Sequence, residues 1–139
     1  MSCTKADIAK ELFLNGYNCC QATLCVFCNE IGIDEKTALK IASSFGGGMG
    51  KLEEVCGAVS GIFMAAGMKY GYTNPKCMEE KKRHYDLIRK MAEEFKQKHG
   101  TIICRELKAQ SPNNGHRVSC AQLVKDATEI FEKVLNENN

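Results

Sequence analysis

The stretch Val55–Tyr70 constrains the fold more than any other part of the chain. Read with a helical period it is apolar on nearly every side, so it cannot lie on a surface and other elements must surround it. Its apolar run, Gly57 to Met68, is broken only by Ser60. That run is too short to cross a bilayer, which takes about 20 residues. Gly57, Ala58, Gly61, Ala65, Ala66 and Gly67 leave room for neighbouring backbones to come close. Glycine within a helix costs about 1 kcal/mol relative to alanine, so close packing or a bound group must compensate.

The flanking sequence supplies helices to surround it. A first is expected from Thr4 to Leu14, with Ile8, Leu12 and Phe13 inward. A second runs from Cys19 to Ile31, capped by Asn18 and stopped by Gly32. A third starts at Asp34 and ends at Gly46, with Ala38, Leu39, Ile41, Ala42 and Phe45 inward. Beyond Pro75 a long charged helix reaches His99, with Tyr85, Ile88, Met91, Ala92 and Phe95 as its stripe. A short helical turn covers Ile102 to Leu107, and the last helix begins after Ser119. No segment alternates with period two for long enough to propose a sheet. The expected fold is therefore all-α, one domain over residues 1–139, with six or seven helices around a buried glycine-rich central helix.

Nine cysteines in 139 residues set the chemistry. An odd number cannot pair fully within the chain, and a chain this long can build a core without staples. The start, Met1-Ser2-Cys3-Thr4-Lys5-Ala6-Asp7, carries charge with no apolar segment behind it, unlike a signal peptide. A reducing, cytoplasmic setting is expected, where many cysteines mean buried filler, metal ligands or redox thiols. The formal net charge of +2 gives no reason to expect nucleic acid or membrane as a partner.

Position sorts the cysteines. Cys19, Cys56 and Cys120 fall at predicted helix starts, where unpaired N–H groups favour a thiolate. Cys104 adjoins Arg105, which offers it a positive neighbour. Asn18-Cys19-Cys20-Gln21-Ala22 echoes Ser119-Cys120-Ala121-Gln122-Leu123: each has a cap, a cysteine in the first turn and a glutamine shortly after. Cys25-Val26-Phe27-Cys28 is a CxxC, but it reads as mid-helix, which points to core packing. Cys20 shares the stripe of Leu24 and also reads as core. The loop Gly46-Gly47-Gly48-Met49-Gly50 departs from a phosphate-binding loop, because Leu52 follows Lys51 and no strand precedes it. Its expected role is to crowd backbone against Cys56. His84 and His99 lie on the charged helix and read as solvated; His116, four residues before Cys120, is the histidine nearest the cysteine pattern.

Cys56-Gly57-Ala58-Val59-Ser60-Gly61 matches the CGAxxG signature of a family of redox-active proteins labelled C_GCAxxG_C_C. The resemblance extends over Gly16-Tyr17-Asn18-Cys19-Cys20-Gln21-Ala22, the Phe45–Gly50 loop, Cys104-Arg105-Glu106-Leu107 and Cys120-Ala121-Gln122-Leu123-Val124. It implies that the family cysteines fall on Cys19, Cys56, Cys104 and Cys120, with Cys20 as the alternative to Cys19. These four are the expected redox or metal residues, with Gly47, Gly48 and Gly57 beside them. Four thiolates match the ligand count of an iron–sulfur cluster or of zinc, which would make the protein an electron carrier. The alternative is a thiol–disulfide oxidoreductase with no cofactor. A third reading is a non-catalytic helical interaction module. A redox partner is implied but not identifiable, and a homodimer is expected from the glycine-rich helix.

Overall fold

The computed structural model describes residues 4–110 and 118–138. Its elements are α1 (Lys5–Leu14), α2 (Cys19–Cys25), α3 (Cys28–Ile31), α4 (Glu35–Ala42), a 3₁₀ turn (Ser43–Phe45), α5 (Gly57–Tyr70), α6 (Met78–His99), α7 (Cys104–Ala109) and α8 (Cys120–Glu137). Among the described residues the only extended pairing is one bridge between Val55 and Ile103. None of the described helices is long and apolar enough to cross a membrane.

In α5, Gly57 to Ile62, Ala65 and Ala66 are all buried. It packs chiefly on α2 and α8, with α3 and α6 also against it. The glycines permit the α2 contact: Thr23 Oγ1 of α2 donates to the Ala58 carbonyl at 3.0 Å, over the face that Gly61 leaves open. Phe27 and Phe131 meet edge to face at 4.8 Å beneath this layer.

Three expectations needed correction. The helix expected over Cys19–Ile31 breaks at Val26 and Phe27, where Phe27 bonds back to Leu24 in a tight turn before α3 begins. This accounts for one helix more than the sequence pattern gave. The helix expected to reach Gly46 ends at Ala42, where the Ser43 hydroxyl takes the Lys40 carbonyl and the chain tightens into the 3₁₀ turn. Ile8, Ile41 and Tyr85 were expected inward but are 43%, 49% and 47% exposed. Alanines take the inner positions instead, Ala6 and Ala9 in α1 and Ala38 and Ala42 in α4. Small side chains let those helices sit close, which turns the larger neighbours outward.

Candidate redox site

Each of the four cysteines is delivered by a helix start. Asn18 caps α2: its Oδ1 accepts from Gln21 N at 2.8 Å, and Gln21 Oε1 accepts from Asn18 N at 2.9 Å. That fixes Cys19 as the first helical residue. Ser119 does the same for Cys120, its Oγ accepting from Gln122 N at 3.2 Å. Cys56 is the capping residue of α5, and Cys104 is the first residue of α7. Short backbone bonds tie these last two together. Cys56 N donates to the Ile102 carbonyl at 2.8 Å, and Cys104 N donates to the Glu54 carbonyl at 2.5 Å. The glycine loop then closes over them. A Cβ on Gly48 (φ +73°) would lie 2.8 Å from Cys104 Cβ and 2.7 Å from Glu54 N, so only glycine fits there. Gly57 leaves similar space for Cys19, whose Cβ is 3.2 Å from where a side chain would start.

The result is a cavity of about 50 Å³ lined by Cys19, Cys56, Cys104 and Cys120, together with Gly47, Gly48 and Gly57. Leu107, Lys108, Val118 and Leu123 complete its wall. Cys20 is not among these residues; its sulfur lies in the core, 3.8 Å from Met64 Sδ. A family model described as putative redox-active protein (C_GCAxxG_C_C) matches residues 17–134. The chain belongs to the C_GCAxxG_C_C family. No curated protein and no solved structure matches it.

Electrostatics in this C_GCAxxG_C_C protein run against the simple helix-start argument. Cys56 does feel the amides of Ala58 and Val59, which pull its pKa down, though no cap hydrogen bond of full geometry forms. Burial outweighs them, and with Cys104 and Cys120 nearby the thiol is pushed up to about 11. Cys19 is raised still further, first by its side-chain hydrogen bond with Cys120, then by burial, then by the proximity of Cys56. Cys19 and Cys56 are therefore neutral thiols near pH 7. Among the described residues, no three or more His, Cys, Asp or Glu side chains are placed to hold a metal ion. The four cysteines share a cavity without being drawn into a ligand cluster.

The charged neighbours are otherwise engaged. Arg105 Nη2 donates to Glu54 Oε1 at 2.9 Å and to the Leu52 carbonyl at 3.4 Å, so its charge is directed at these acceptors. Lys108, on the cavity wall, pairs with Glu53 at 2.5 Å. His116 lies outside the described residues. His99, expected to be solvated, is buried: its Nε2 is 2.8 Å from Asp126 Oδ2, and its ring packs on Phe95. His84 is half-buried, with Nδ1 shut off from solvent and without a hydrogen-bond partner. Asp126 went unnoticed in the sequence. The available signal was its place among Leu123, Val124, Ala127 and Ile130 on the apolar face of α8, where a carboxylate needs buried partners.

Proposed function

We propose that this family member is a thiol–disulfide redox protein whose working couple is Cys19 and Cys120. The observation that carries the reading is the thiol–thiol hydrogen bond between these two at the cavity wall. A hydrogen-bonded dithiol in an apolar cavity is suited to a disulfide product, which carries no charge. Oxidation runs by exchange with a disulfide on a partner protein. One thiol loses its proton and attacks a sulfur of the partner disulfide, releasing one partner thiolate, which takes up a proton. The second thiol then attacks the mixed disulfide and releases the other partner thiol. The protein loses two electrons and two protons, and the partner disulfide becomes two thiols. The raised Cys19 thiol makes attack through Cys19 slow at neutral pH unless the docking partner supplies positive charge.

A metal centre at the same cavity is the competing reading, favoured by the presence of all four cysteines on one wall. Cys19, Cys56, Cys104 and Cys120 would hold it, after their side chains close in from their present placement. One experiment separates the two. Anaerobically purified protein is analysed for iron, zinc and sulfide, then oxidised mildly and digested without reduction. A crosslink joining the Cys19 and Cys120 peptides, lost in Cys19→Ser and Cys120→Ser, is expected. Stoichiometric metal with no such crosslink would overturn the disulfide reading in favour of the metal centre.

A further inference from the structure

The sequence alone places Cys25 and Cys28 in mid-helix as core filler, and the structure corrects this. The helix breaks between them, so Cys25 ends α2 and Cys28 opens α3. The core is filled by their neighbours instead: Leu24 and Phe27 are fully buried, while both cysteines are half-buried at the edge. Their Sγ atoms face one another at 3.8 Å in an S–H···S contact. Residues three apart across a helical turn have the backbone separation that a disulfide tolerates. The turn at Phe27 (φ −103°, ψ 10°) gives the chain room to close the remaining gap.

We propose that Cys25 and Cys28 form a second dithiol couple, independent of the four-cysteine cavity, that closes to an intrachain disulfide by exchange with small cationic disulfides. The charge preference follows from the surroundings. Asp34, Glu35 and Glu30 bring negative charge to the pair. Lys5 faces it from α1, with Nζ 2.7 Å from Glu30 and 3.4 Å from the Val26 carbonyl, so it offsets Glu30 alone. Lys69 of α5 donates to the Glu30 carbonyl at 3.2 Å and keeps its positive charge. Asp34 and Glu35 outweigh that one lysine, and the carboxylates are the charges that act on the two sulfurs, so the net field is negative; it repels an anionic disulfide and attracts a cationic one. Burial raises both thiols, and the 3.8 Å contact favours the Cys28 thiolate while disfavouring that of Cys25, so Cys28 ionises first. The Cys28 thiolate attacks one sulfur of the small disulfide and expels a thiolate, which takes up a proton. Cys25 then loses its proton and attacks the Cys28 sulfur, releasing the second thiol. The small disulfide is reduced to two thiols as the protein pair is oxidised. Cys19 lies at the other end of α2, about 9 Å along the helix axis from Cys25, too far for direct exchange with the pair.

The test uses the full chain. Trypsin releases Glu11–Lys36, which carries Cys19, Cys20, Cys25 and Cys28. In Cys19→Ser/Cys20→Ala protein, the latter two are the only cysteines of that peptide. After treatment with cystamine the peptide should lose two hydrogens, resist alkylation and carry no adduct. Oxidised glutathione, an anionic disulfide, should act about tenfold more slowly at low ionic strength, with the gap narrowing in salt. Tandem mass spectrometry of the unaltered protein reads the same pair in case the double variant folds poorly. Cys25→Ser/Cys28→Ser should abolish this closure and leave the Cys19–Cys120 crosslink in place. Two separately blocked or freely alkylated thiols after cystamine would overturn the couple. Equal rates with both disulfides would overturn the charge preference. Loss of the Cys19–Cys120 crosslink along with this one would overturn the independence. Because one crosslink closes within Glu11–Lys36 and the other joins that peptide to the one carrying Cys120, failure of this couple is distinguishable from failure of the cavity couple.

Discussion

Replacing Gly61 by alanine should destabilise the protein, although alanine is the better helix former. A Cβ at this position would overlap Thr23 Oγ1 outright and lie 2.8 Å from the Cys20 carbonyl oxygen. Thr23 cannot easily turn aside, because it is fully buried and its hydroxyl donates to the Ala58 carbonyl. The helix gains about 1 kcal/mol from losing a glycine. Against this stand about 1–3 kcal/mol for overpacking and about 1 kcal/mol for displacing the threonine hydrogen bond. The balance is a loss of about 1–3 kcal/mol, with overpacking the deciding contribution. Urea unfolding followed by circular dichroism measures it. Adding Thr23→Ala should recover part of the loss, since the hydroxyl clash goes while the Cys20 carbonyl remains. A Gly61→Ala protein as stable as the parent would show that α2 and α5 are not in backbone contact there.

Asp126→Ala should cost about 3 kcal/mol in the same assay, because it strips His99, Lys98 and Gln122 of a shared buried acceptor. Gly48→Ala should lower stability by about 1–3 kcal/mol through its left-handed backbone and its contact with Cys104; faster labelling of Cys104 by a thiol reagent would report the cavity prised open. The raised thiols give the protein an alkaline limit. In the unfolded chain cysteines ionise near about 8.5, whereas Cys56 is held to about 11 and Cys20 and Cys25 to about 12. The folded state therefore keeps protons that the unfolded state loses, and stability, full below pH about 8.5, should fall as pH climbs toward 12. A urea midpoint unchanged between pH 8 and 10.5 would contradict this.

Much of the fold could be read from local signals that the structure also obeys. Gly32 (φ +72°) and Gly100 (φ +86°) stop helices where glycine permits a left-handed turn. Asn18 and Ser119 start helices by the same capping chemistry, and the short echo between their surroundings marks two cysteines that end on one cavity. The break at Val26 and Phe27 was not legible, because its cause is tertiary: Phe27 leaves the helical path where it packs against Phe131, over a hundred positions away. The thiol pKa values were misread for a related reason. A helix start is visible in sequence, but the burial that overrides it depends on which distant elements close over the sulfur. Lys108 and Leu107 could be placed at the cavity only once the Val55–Ile103 bridge had brought α7 beside α5.

The way the cavity is assembled also bears on how the chain must be made. Cys19 leads one of the first helices, and Cys120 leads α8, the last one. As the protein is synthesised, Cys19 emerges beside Cys20, Cys25 and Cys28, while its proposed partner is still far behind. Any oxidant met at that stage can join Cys19 only to one of these neighbours, and such an early link would hold α2 away from its place against α5. Correct pairing of Cys19 therefore depends on timing: folding must be finished, with α8 docked, before that thiol is oxidised.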